Sequence, residues 1–347
     1  MKVVVVGTGL IGSERIVALQ KIAKATDHQI SLAAFVETNA QRLKQISEKH
    51  EIQGIADIGA ALAMQPDWVF VCTPHAVAPE LTSLSLRAGA NVLVEKPLGR
   101  SLSECESILA EKPDNLRLAV GFNYRFYRGI EALIHDARIG KFGKLISVNM
   151  ILAHGNAPGM EKSWKLDPYQ CGGGCLIDPG VHLLDIAYRL SEDELSVTGA
   201  KYWSGFWNTG IEEEAHLLLE NRANTIFNIQ VSLNRWRSNF RLEVNGTDGY
   251  GVVEGRGRSY GPQSYKSGKR WAWQVGGTQA ESEFFHLPSY PAEDSFVRET
   301  AVLFGPEIAR KVLGESPSQK VCNEIEAASV MRLLDEARVT LGLPTSY

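Results

Sequence analysis

The chain has few cysteines, no long apolar run and no strong charge of either sign. Its five cysteines among 347 residues are odd in number and lack the paired spacing of a zinc site. We therefore expect reduced thiols in a cytoplasmic protein. A net charge of −4 indicates no general affinity for nucleic acid. No apolar run approaches the roughly 18 residues that cross a bilayer, so no membrane partner is expected.

A glycine-rich turn follows the first predicted strand. Residues 2–6 form an apolar run that is typical of a buried strand and too short for a signal peptide. Glycines then recur at the spacing of a dinucleotide-binding fingerprint, and a helical pattern continues to Ala23. The glycines allow the tight turn, close approach of pyrophosphate and close packing of helix on strand. Since a helix N-terminus attracts phosphate, we expect cofactor contacts from Gly7, Thr8, Gly9, Leu10, Ile11 and Gly12.

An acidic residue ends the second predicted strand, residues 30–37. Glu37 lies 25 residues after Gly12, where a carboxylate accepts hydrogen bonds from both ribose hydroxyls. Its charge would repel a 2′-phosphate, and residues 38–42 contain no adjacent Ser–Arg pair. We therefore predict NAD as the cofactor in preference to NADP. The alternative is that Glu37 is only a solvated loop acid.

Two further predicted strands, within 67–75 and 91–99, end in polar residues. Ligands of open α/β sheets bind at the carboxyl ends of the strands, so Lys96 is expected beside the nicotinamide. The alternative is a solvated loop lysine. The cofactor contacts predicted at these two strand ends are Thr73, Pro74, His75, Glu95 and Lys96. These repeated strand–helix units predict a Rossmann NAD-binding domain over residues 1–124.

The segment GGGCLIDPGVHLLDIA, residues 172–187, brings three polar side chains into one motif. Asp178, His182 and Asp185 are spaced i, i+4 and i+7, which predicts one face of a single helix. The glycines are expected to start that helix and to let a ligand approach closely. A carboxylate four residues before an imidazole is suited to proton transfer. With the nucleotide fingerprint, this segment predicts a redox enzyme that acts on an alcohol or a ketone.

Other roles for the same residues stay open. His182 can be a core histidine bonded to Asp178, and Asp185 is favoured as a residue that orients the helix. The three can also hold a metal ion, but hydride transfer needs only a proton carrier, so no metal is predicted. Metal binding by Cys171 and Cys175 is not expected either, because no second ligand pair follows them.

Beyond residue 125, apolar and polar residues alternate and turns fall at glycines. This pattern predicts an α+β domain over 125–347, with a large, mostly antiparallel open sheet and a helix at 323–342. The basic stretch 254–270 is expected to be a solvated loop, with a lid or subunit contact as the alternative. Arginines 235, 237 and 241 are interpreted as a polar strand face, the alternative being a site for an acidic substrate group.

Aromatic residues cluster in this second part of the chain. They are expected in the core or at a subunit interface more than in carbohydrate stacking. The prediction is a homodimer or homotetramer assembled through the C-terminal sheet. The residues concerned are Tyr202, Trp203, Phe206, Trp207, Trp271 and Trp273.

Several segments resemble the Gfo/Idh/MocA family of oxidoreductases, named for glucose–fructose oxidoreductase and inositol dehydrogenase. They are VVVVGTGLIG (3–12), VCTPH (71–75), AGANVLVEKPLG (88–99), GFNYRF (121–126) and WKLDPYQCGGGCLIDPGVHLLD (164–185), with a weaker match at RLEVNGTDGYGVVEG (241–255). The EKP segment and the GGG-x-x-x-D-x-G-x-H-x-x-D segment are highly specific as a pair. The resemblance spans most of the chain.

The resemblance implies a nicotinamide cofactor and a sugar, inositol or related polyol as substrate. In the family, the EKP lysine and the Asp and His of the second motif contact the oxygen on the reacting carbon. This implies Lys96, Asp178 and His182 as catalytic and substrate-binding residues, with the proton carrier left open between Lys96 and His182. The other residues implied by the matching segments are Asn123 and Trp164 for the cofactor and Tyr124 and Arg125 for the substrate.

The chain departs from the family pattern at two places. His75 and Ala78 stand where Asn and His are frequent, and Lys165 follows Trp164 where Arg is frequent. Two other functions also stay open. One is a glycosidase that uses tightly held NAD for transient oxidation and elimination, and the other is a non-catalytic nucleotide-sensing regulator. The retention of Lys96, Asp178 and His182 together argues against the regulator.

Overall fold

The computed structural model describes residues 1–191, 193–270, 282–286 and 292–347, with only the backbone described for 282–286 and 292–293. The strands are β1 (Lys2–Val6), β2 (Ser31–Val36), β3 (Gly54–Ile55), β4 (Trp68–Val71), β5 (Asn91–Glu95), β6 (Leu118–Gly121), β7 (Leu145–Ala153), β8 (Leu195–Trp203), β9 (Glu214–Asn221), β10 (Ile226–Ser232), β11 (Asn239–Gly246), β12 (Gly249–Glu254), β13 (Ser264–Lys269), β14 (Ser282–His286) and β15 (Cys322–Asn323). The helices are α1 (Leu10–Ala25), α2 (Ala40–His50), α3 (Ile58–Leu62), α4 (Ala78–Arg87), α5 (Leu102–Glu111), α6 (Arg128–Arg138), α7 (Pro168–Cys171), α8 (Val181–Ser191), α9 (Ala292–Leu303), α10 (Pro306–Leu313) and α11 (Glu324–Leu341).

The chain divides into two compact units. The first comprises Met1–Asn123 and Glu293–Met331, and the second comprises Tyr124–Ala292 and Arg332–Tyr347. Over the residues that the structure covers, no helix is both long and apolar enough to cross a membrane.

The first unit is built on a seven-stranded sheet in the order β15-β6-β5-β4-β1-β2-β3. All neighbouring strands are parallel except the short β15, which runs antiparallel to β6. Strand β1 is buried along Val3–Val6, as its continuous apolar run predicts. Helix α1 packs Ile16, Leu19 and Ile22 into the same core. The predicted Rossmann domain is confirmed.

The second unit is built on an eight-stranded sheet in the order β14-β13-β12-β11-β7-β10-β9-β8. Only the β7–β10 pair is parallel; the other neighbours are antiparallel. Along β9 and β11 burial alternates residue by residue, so one face of the sheet carries the core. Helices α6 and α8 both contact the sheet. The predicted, mostly antiparallel sheet is confirmed.

The predicted second domain, 125–347, differs from the structure in one segment. Residues 293–331 belong to the first unit, because β15 pairs with β6 and places Cys322 opposite Val120. The C-terminal helix, predicted over 323–342, is found as α11 and is divided between the units after Met331. A two-residue strand carries too little pattern to be found from the sequence.

The expected solvated loop at 254–270 is wrong over its second half. Residues 264–269 form β13, which pairs with β12 on one side and β14 on the other. Within the first half, Arg256 is partly buried against tyrosine rings. The two predicted aromatic positions 271 and 273 lie outside the described residues.

Candidate active site

The glycine-rich turn of the first unit is shaped by close backbone contacts. A Cβ on Gly12 would lie 1.9 Å from the carbonyl oxygen of Gly7, so only glycine lets α1 pack this closely against the turn. Gly7 has φ +87°, which favours glycine. Gly9, the residue before α1, faces open space, and Leu10 beside it is exposed. The turn therefore leaves the amide groups at the start of α1 accessible to a phosphate.

Glu37 is tied to this turn. Its carboxylate accepts hydrogen bonds from the Thr8 hydroxyl at 2.7 Å, the Thr8 amide at 3.3 Å and the Asn39 amide at 2.9 Å. Burial opposes the charge, but these bonds and Arg42 outweigh it and lower the pKa of Glu37. A buried, bonded carboxylate does not fit the alternative of a solvated loop acid.

Arg42 is a neighbour of Glu37 that the sequence did not single out. Its Nη1 lies 3.6 Å from Glu37 Oε2, and its side chain is half exposed. The signal for this contact is the position of both residues at the start of α2, five residues apart in the sequence. The nucleotide end of this unit thus offers both a carboxylate and a half-exposed cation.

A buried ion-pair network holds the end of β5, directly before Lys96. Arg15 of α1 donates from Nε to Glu95 at 2.7 Å and from Nη2 to Glu299 at 2.5 Å. Burial disfavours the charge of Arg15, but Glu95 and Glu299 more than compensate and raise its pKa. Glu95, predicted to contact the cofactor, is therefore committed at least in part to Arg15. The network positions the strand end that carries Lys96, which is half-buried.

The remaining predicted cofactor residues of the first unit lie at strand ends, as expected. Thr73 and Pro74 follow β4 and are half-buried, whereas His75 is buried. Asn123 follows β6, is buried and donates from Nδ2 to Ser295 Oγ at 2.9 Å. Ser295 is part of α9, so a returning segment holds Asn123 in place.

In the second unit, the predicted single helix for the three polar residues is wrong. Helix α8 begins at Val181 and carries His182 and Asp185, whereas Asp178 lies in a separate π-helical turn, 176–180. Asp178 has φ −140° and ψ 101°, outside the helical region. The cause is Pro179, since the residue before a proline is pushed away from helical backbone angles.

The glycines before this turn serve backbone packing. A Cβ on Gly174 would lie 2.0 Å from the carbonyl oxygen of Glu212. The buried Glu212 carboxylate accepts from the Gly174 amide at 2.9 Å and the Leu176 amide at 3.1 Å. The expectation that Gly174 makes room for a ligand is therefore corrected: it makes room for the chain at residue 212.

Asp178 pairs with Lys165. Lys165 Nζ donates to Asp178 Oδ2 at 2.8 Å, and the carboxylate raises the pKa of the lysine. The Asp178 side chain is 10% exposed and the Lys165 side chain 44% exposed. Trp164, a predicted cofactor residue, is half-buried, with its ring 5.8 Å from Lys165 Nζ. Lysine at position 165, the departure from the family pattern, thus contacts a predicted catalytic residue.

His182 stacks on Tyr124. The two ring centroids are 3.7 Å apart with 9° between the planes, and both side chains are buried. Burial raises the pKa of Tyr124, so its hydroxyl stays protonated. The stack holds the imidazole plane, and Tyr124 is placed beside the residue predicted to carry the proton.

Arg256 and His154 complete the cluster, and neither was predicted. The Arg256 guanidinium carbon lies 4.9 Å from the Tyr124 ring centroid and 4.0 Å from that of Tyr260. His154 follows β7; burial lowers its pKa to about 4, with Asp178 opposing and Arg256 and Lys165 adding to the shift. Its Nδ1 accepts from the Asn156 amide at 3.3 Å, so the neutral ring carries its proton on Nε2.

Arg125 and Asp185 form a buried ion pair in the same unit. Arg125 Nε donates to Asp185 Oδ1 at 3.1 Å and to Oδ2 at 2.8 Å, and both side chains are 0% exposed. The role of Arg125 as a substrate-binding residue stays a prediction, and its side chain has no accessible surface in this structure. The pair fixes α8 and supports the interpretation of Asp185 as a helix-orienting residue.

Within the part of the chain that is described, no group of three His, Cys, Asp or Glu side chains is arranged to hold a metal ion. None of the five cysteines, all of which are described, forms a disulfide bond, and Cys171 and Cys175 are buried. What the second unit does offer is a carboxylate, two imidazoles, two cations and phenols, which suit proton transfer and hydrogen bonding to hydroxyl groups.

Two family models match the chain. An oxidoreductase family model with an NAD-binding Rossmann fold matches residues 1–122, and a GFO/IDH/MocA C-terminal domain model matches residues 130–251. The oxidoreductase YrbE of Bacillus subtilis is 26% identical over 200 residues, 56% of each chain. Trans-1,2-dihydrobenzene-1,2-diol dehydrogenase of Sus scrofa is 24% identical over 361 residues, covering 98% of this chain and 96% of the relative.

A solved structure shows the same fold. Levoglucosan dehydrogenase, in complex with NADH and levoglucosan, superposes with a TM-score of 0.82 at 16% identity, over 99% of this chain and 97% of that one. The chain belongs to the GFO/IDH/MocA family and is an NAD(P)-binding oxidoreductase, a dehydrogenase or reductase.

Proposed function

We propose that the protein transfers a hydride between nicotinamide and a hydroxyl or ketone of a sugar, inositol or related polyol. The observation that carries this proposal is the cluster of Asp178, Lys165 and the Tyr124–His182 stack in one unit. The dinucleotide turn and Lys96 in the other unit complete the groups that the reaction needs. The names of two similar proteins, a diol dehydrogenase and a levoglucosan dehydrogenase, support a polyol substrate.

The residues present fit a dinucleotide. The open space at Gly9, the accessible amides at the start of α1 and the ionised Glu37 suit a pyrophosphate and a ribose. When bound, the nicotinamide supplies the hydride acceptor or donor. Every proton in the reaction must then be handled by the protein.

In the oxidation direction, His182 takes the proton of the substrate hydroxyl. Its plane is fixed by Tyr124, so the accepting nitrogen keeps one direction. Lys96 donates a hydrogen bond to the same oxygen and stabilises the charge that develops there. Asp178, held by Lys165, orients the reacting groups. The family resemblance supports both Lys96 and His182 at that oxygen, and Lys96 is the alternative proton carrier to His182.

A substrate panel tests this function. Purified enzyme is offered inositols, hexoses and aminosugars with NAD or NADP, and NADH or NADPH formation is followed by absorbance. We expect reduction of NAD by at least one polyol. Reduction by none of them with either cofactor would contradict the proposal. Copurified NAD with cleavage of a glycoside and no net NADH would instead indicate the transient-oxidation glycosidase.

We propose NAD as the preferred cofactor because Glu37 is ionised and fixed beside the turn. Charge repulsion of about 1–3 kcal/mol gives roughly 5- to 150-fold preference over NADP. Glu37→Ala is expected to improve kcat/KM for NADP, since Arg42 is then freed to face a 2′-phosphate. Glu48→Ala, an exposed acid on α2, is the matched control. Preference of the wild-type enzyme for NADP would overturn this role of Glu37.

We also propose a homodimer or homotetramer through the C-terminal sheet. Tyr202, Trp203 and Phe206 are exposed, as are the sheet residues Leu218 and Ile226. Exposed apolar residues on a sheet are typical of an interface, and the core alternative for these three aromatics does not fit their exposure. Sedimentation velocity at micromolar concentration is expected to show an oligomer that Trp203→Glu weakens. A wild-type monomer would contradict the proposal.

A further inference from the structure

The buried arginines of this protein have carboxylate partners. The four examples are Arg15 with Glu95 and Glu299, Arg125 with Asp185, Arg298 with Glu315, and Arg338 with Asp335. Each guanidinium in this set is 3% exposed or less. Such pairing is expected, because burying a charge without a counter-charge costs several kcal/mol of desolvation free energy.

Arg256 departs from that rule. It donates to the Tyr127 hydroxyl at 3.3 Å, is hydrogen-bonded to Tyr260 and stacks on the Tyr124 and Tyr260 rings. Its Nε is withdrawn from solvent and has no hydrogen-bond partner among the described residues. Within those residues, no carboxylate lies at ion-pair distance from it. The side chains that contact this cation among the described residues are the phenols of Tyr124, Tyr127 and Tyr260.

The phenols do not neutralise the charge. Burial raises the pKa of both Tyr124 and Tyr260, so they remain protonated at neutral pH. Arg256 is half-buried, so part of the residue is accessible to solvent. A guanidinium that has an unpaired Nε and no carboxylate partner among the described residues is suited to bind a planar or tetrahedral oxyanion through paired hydrogen bonds.

The position of Arg256 connects it to the reaction. Tyr124 contacts both Arg256 and His182. Its ring centroid lies 3.7 Å from that of His182 and 4.9 Å from the guanidinium carbon of Arg256. Arg256 and Lys165 also both act on His154 electrostatically. Lys165 is paired with Asp178. Arg256 is therefore the cation of this cluster that has no acidic partner among the described residues.

We propose that Arg256 is a specificity-determining residue that binds an anionic oxygen group of the substrate. The substrate class is then a polyol that carries a carboxylate or a phosphate ester in addition to the hydroxyl that is oxidised. This inference rests on the proposed function and narrows its substrate class. The anionic group anchors the polyol, and the oxidised carbon is presented to His182.

Calorimetric binding to the enzyme saturated with NAD tests the inference without requiring turnover. The probes are D-glucose, D-glucuronate and D-glucose 6-phosphate, which separate the neutral, carboxylate and phosphate cases. We expect one of the two anions to bind roughly 10- to 100-fold more tightly than glucose, as one charge-assisted pair provides. Arg256→Gln is expected to remove that preference and Arg256→Lys to retain part of it. Arg222→Gln, which removes an exposed positive charge of the same unit, is expected to leave it unchanged.

Equal binding of all three probes to the wild-type enzyme, or no measurable binding of any, overturns the inference. So does an anion preference that survives in Arg256→Gln. Circular dichroism of each variant, with the charge-retaining Arg256→Lys beside it, separates lost recognition from lost folding. The two proposals fail separately. If a neutral polyol yields NADH and the enzyme shows no preference for anions, only the inference about Arg256 fails. If the enzyme prefers an anion but no polyol yields NADH, only the proposed function fails.

Discussion

Asp178 and Asp185 lie seven residues apart in one motif, and each is paired with a cation. The Arg125–Asp185 pair is 0% exposed on both sides, and Arg125 donates from Nε to Oδ2 and from Nη2 to Oδ1 of the carboxylate. The Lys165–Asp178 pair makes one bond of 2.8 Å, and its lysine is 44% exposed. A fully enclosed, two-point pair fixes structure, whereas a one-point pair with a solvated partner remains available to a ligand.

The two acids therefore have different tasks. Asp185 holds α8 through Arg125 and so positions His182, one turn earlier on the same helix. Asp178 lies in the turn before α8, where Pro179 keeps its backbone extended and its carboxylate can reach Lys165. The motif therefore contains one carboxylate that stabilises the structure, Asp185, and one that serves the reaction, Asp178. Mutations of the two pairs are expected to have different effects.

Asp178→Asn is expected to have the largest effect on activity. Loss of a positioned group at a proton-transfer site typically costs about 10²–10⁴ in rate, so kcat is expected to fall within that range. Stability is expected to change by less than about 1 kcal/mol, because Lys165 then solvates its charge. Steady-state kinetics and urea unfolding measure the two. Unchanged kcat in a folded variant would show that Asp178 is structural.

Arg125→Met is expected to have the opposite profile. It leaves the Asp185 carboxylate buried without a partner, which typically costs about 3–5 kcal/mol of unfolding free energy. The matched variant Lys165→Met is expected to cost less than about 1 kcal/mol, and adding Asp185→Leu to Arg125→Met is expected to recover much of the loss. Urea unfolding of the wild type and of these three variants gives the four free energies of unfolding. Normal stability in Arg125→Met together with a raised KM would support Arg125 as a substrate-binding residue.

His154→Gln is expected to have the smallest effect, and one confined to acid. Burial lowers the pKa of His154 from 6.5 to about 4 in the folded protein, so between these values the unfolded chain binds the proton more readily. Its contribution is complete above about pH 6.5 and is lost as pH falls toward 4, on the order of 1–3 kcal/mol. The variant is expected to lose less stability than the wild type on going from pH 7 to pH 4.5. Parallel stability curves would contradict this account.

Local pattern was enough to predict much of the fold. The continuous apolar run of β1, the glycine turn after it and the alternation along β9 and β11 each report burial within a few residues. The Asp178–Pro179 step was equally local, and applying the proline rule would have removed the single-helix prediction.

The features that were missed depend on distant partners. Glu299 meets Arg15 across 284 residues of chain, and Glu212 binds the Gly174 amide from 38 residues away. Arg256 sits in a stretch that is basic and rich in glycine, which by composition alone is typical of a solvated loop. Its contacts with Tyr124 and Tyr260 follow from tertiary packing, which composition does not report.

The most direct test of the central claim is a double-mutant cycle on kcat with Lys96→Ala and His182→Ala. If both residues serve one proton-transfer step, each single variant loses about 10²–10⁴ in kcat and the double variant loses far less than the product. NAD affinity, measured by fluorescence titration, is expected to change little in His182→Ala. Full activity in His182→Ala, or losses that multiply, would contradict the account.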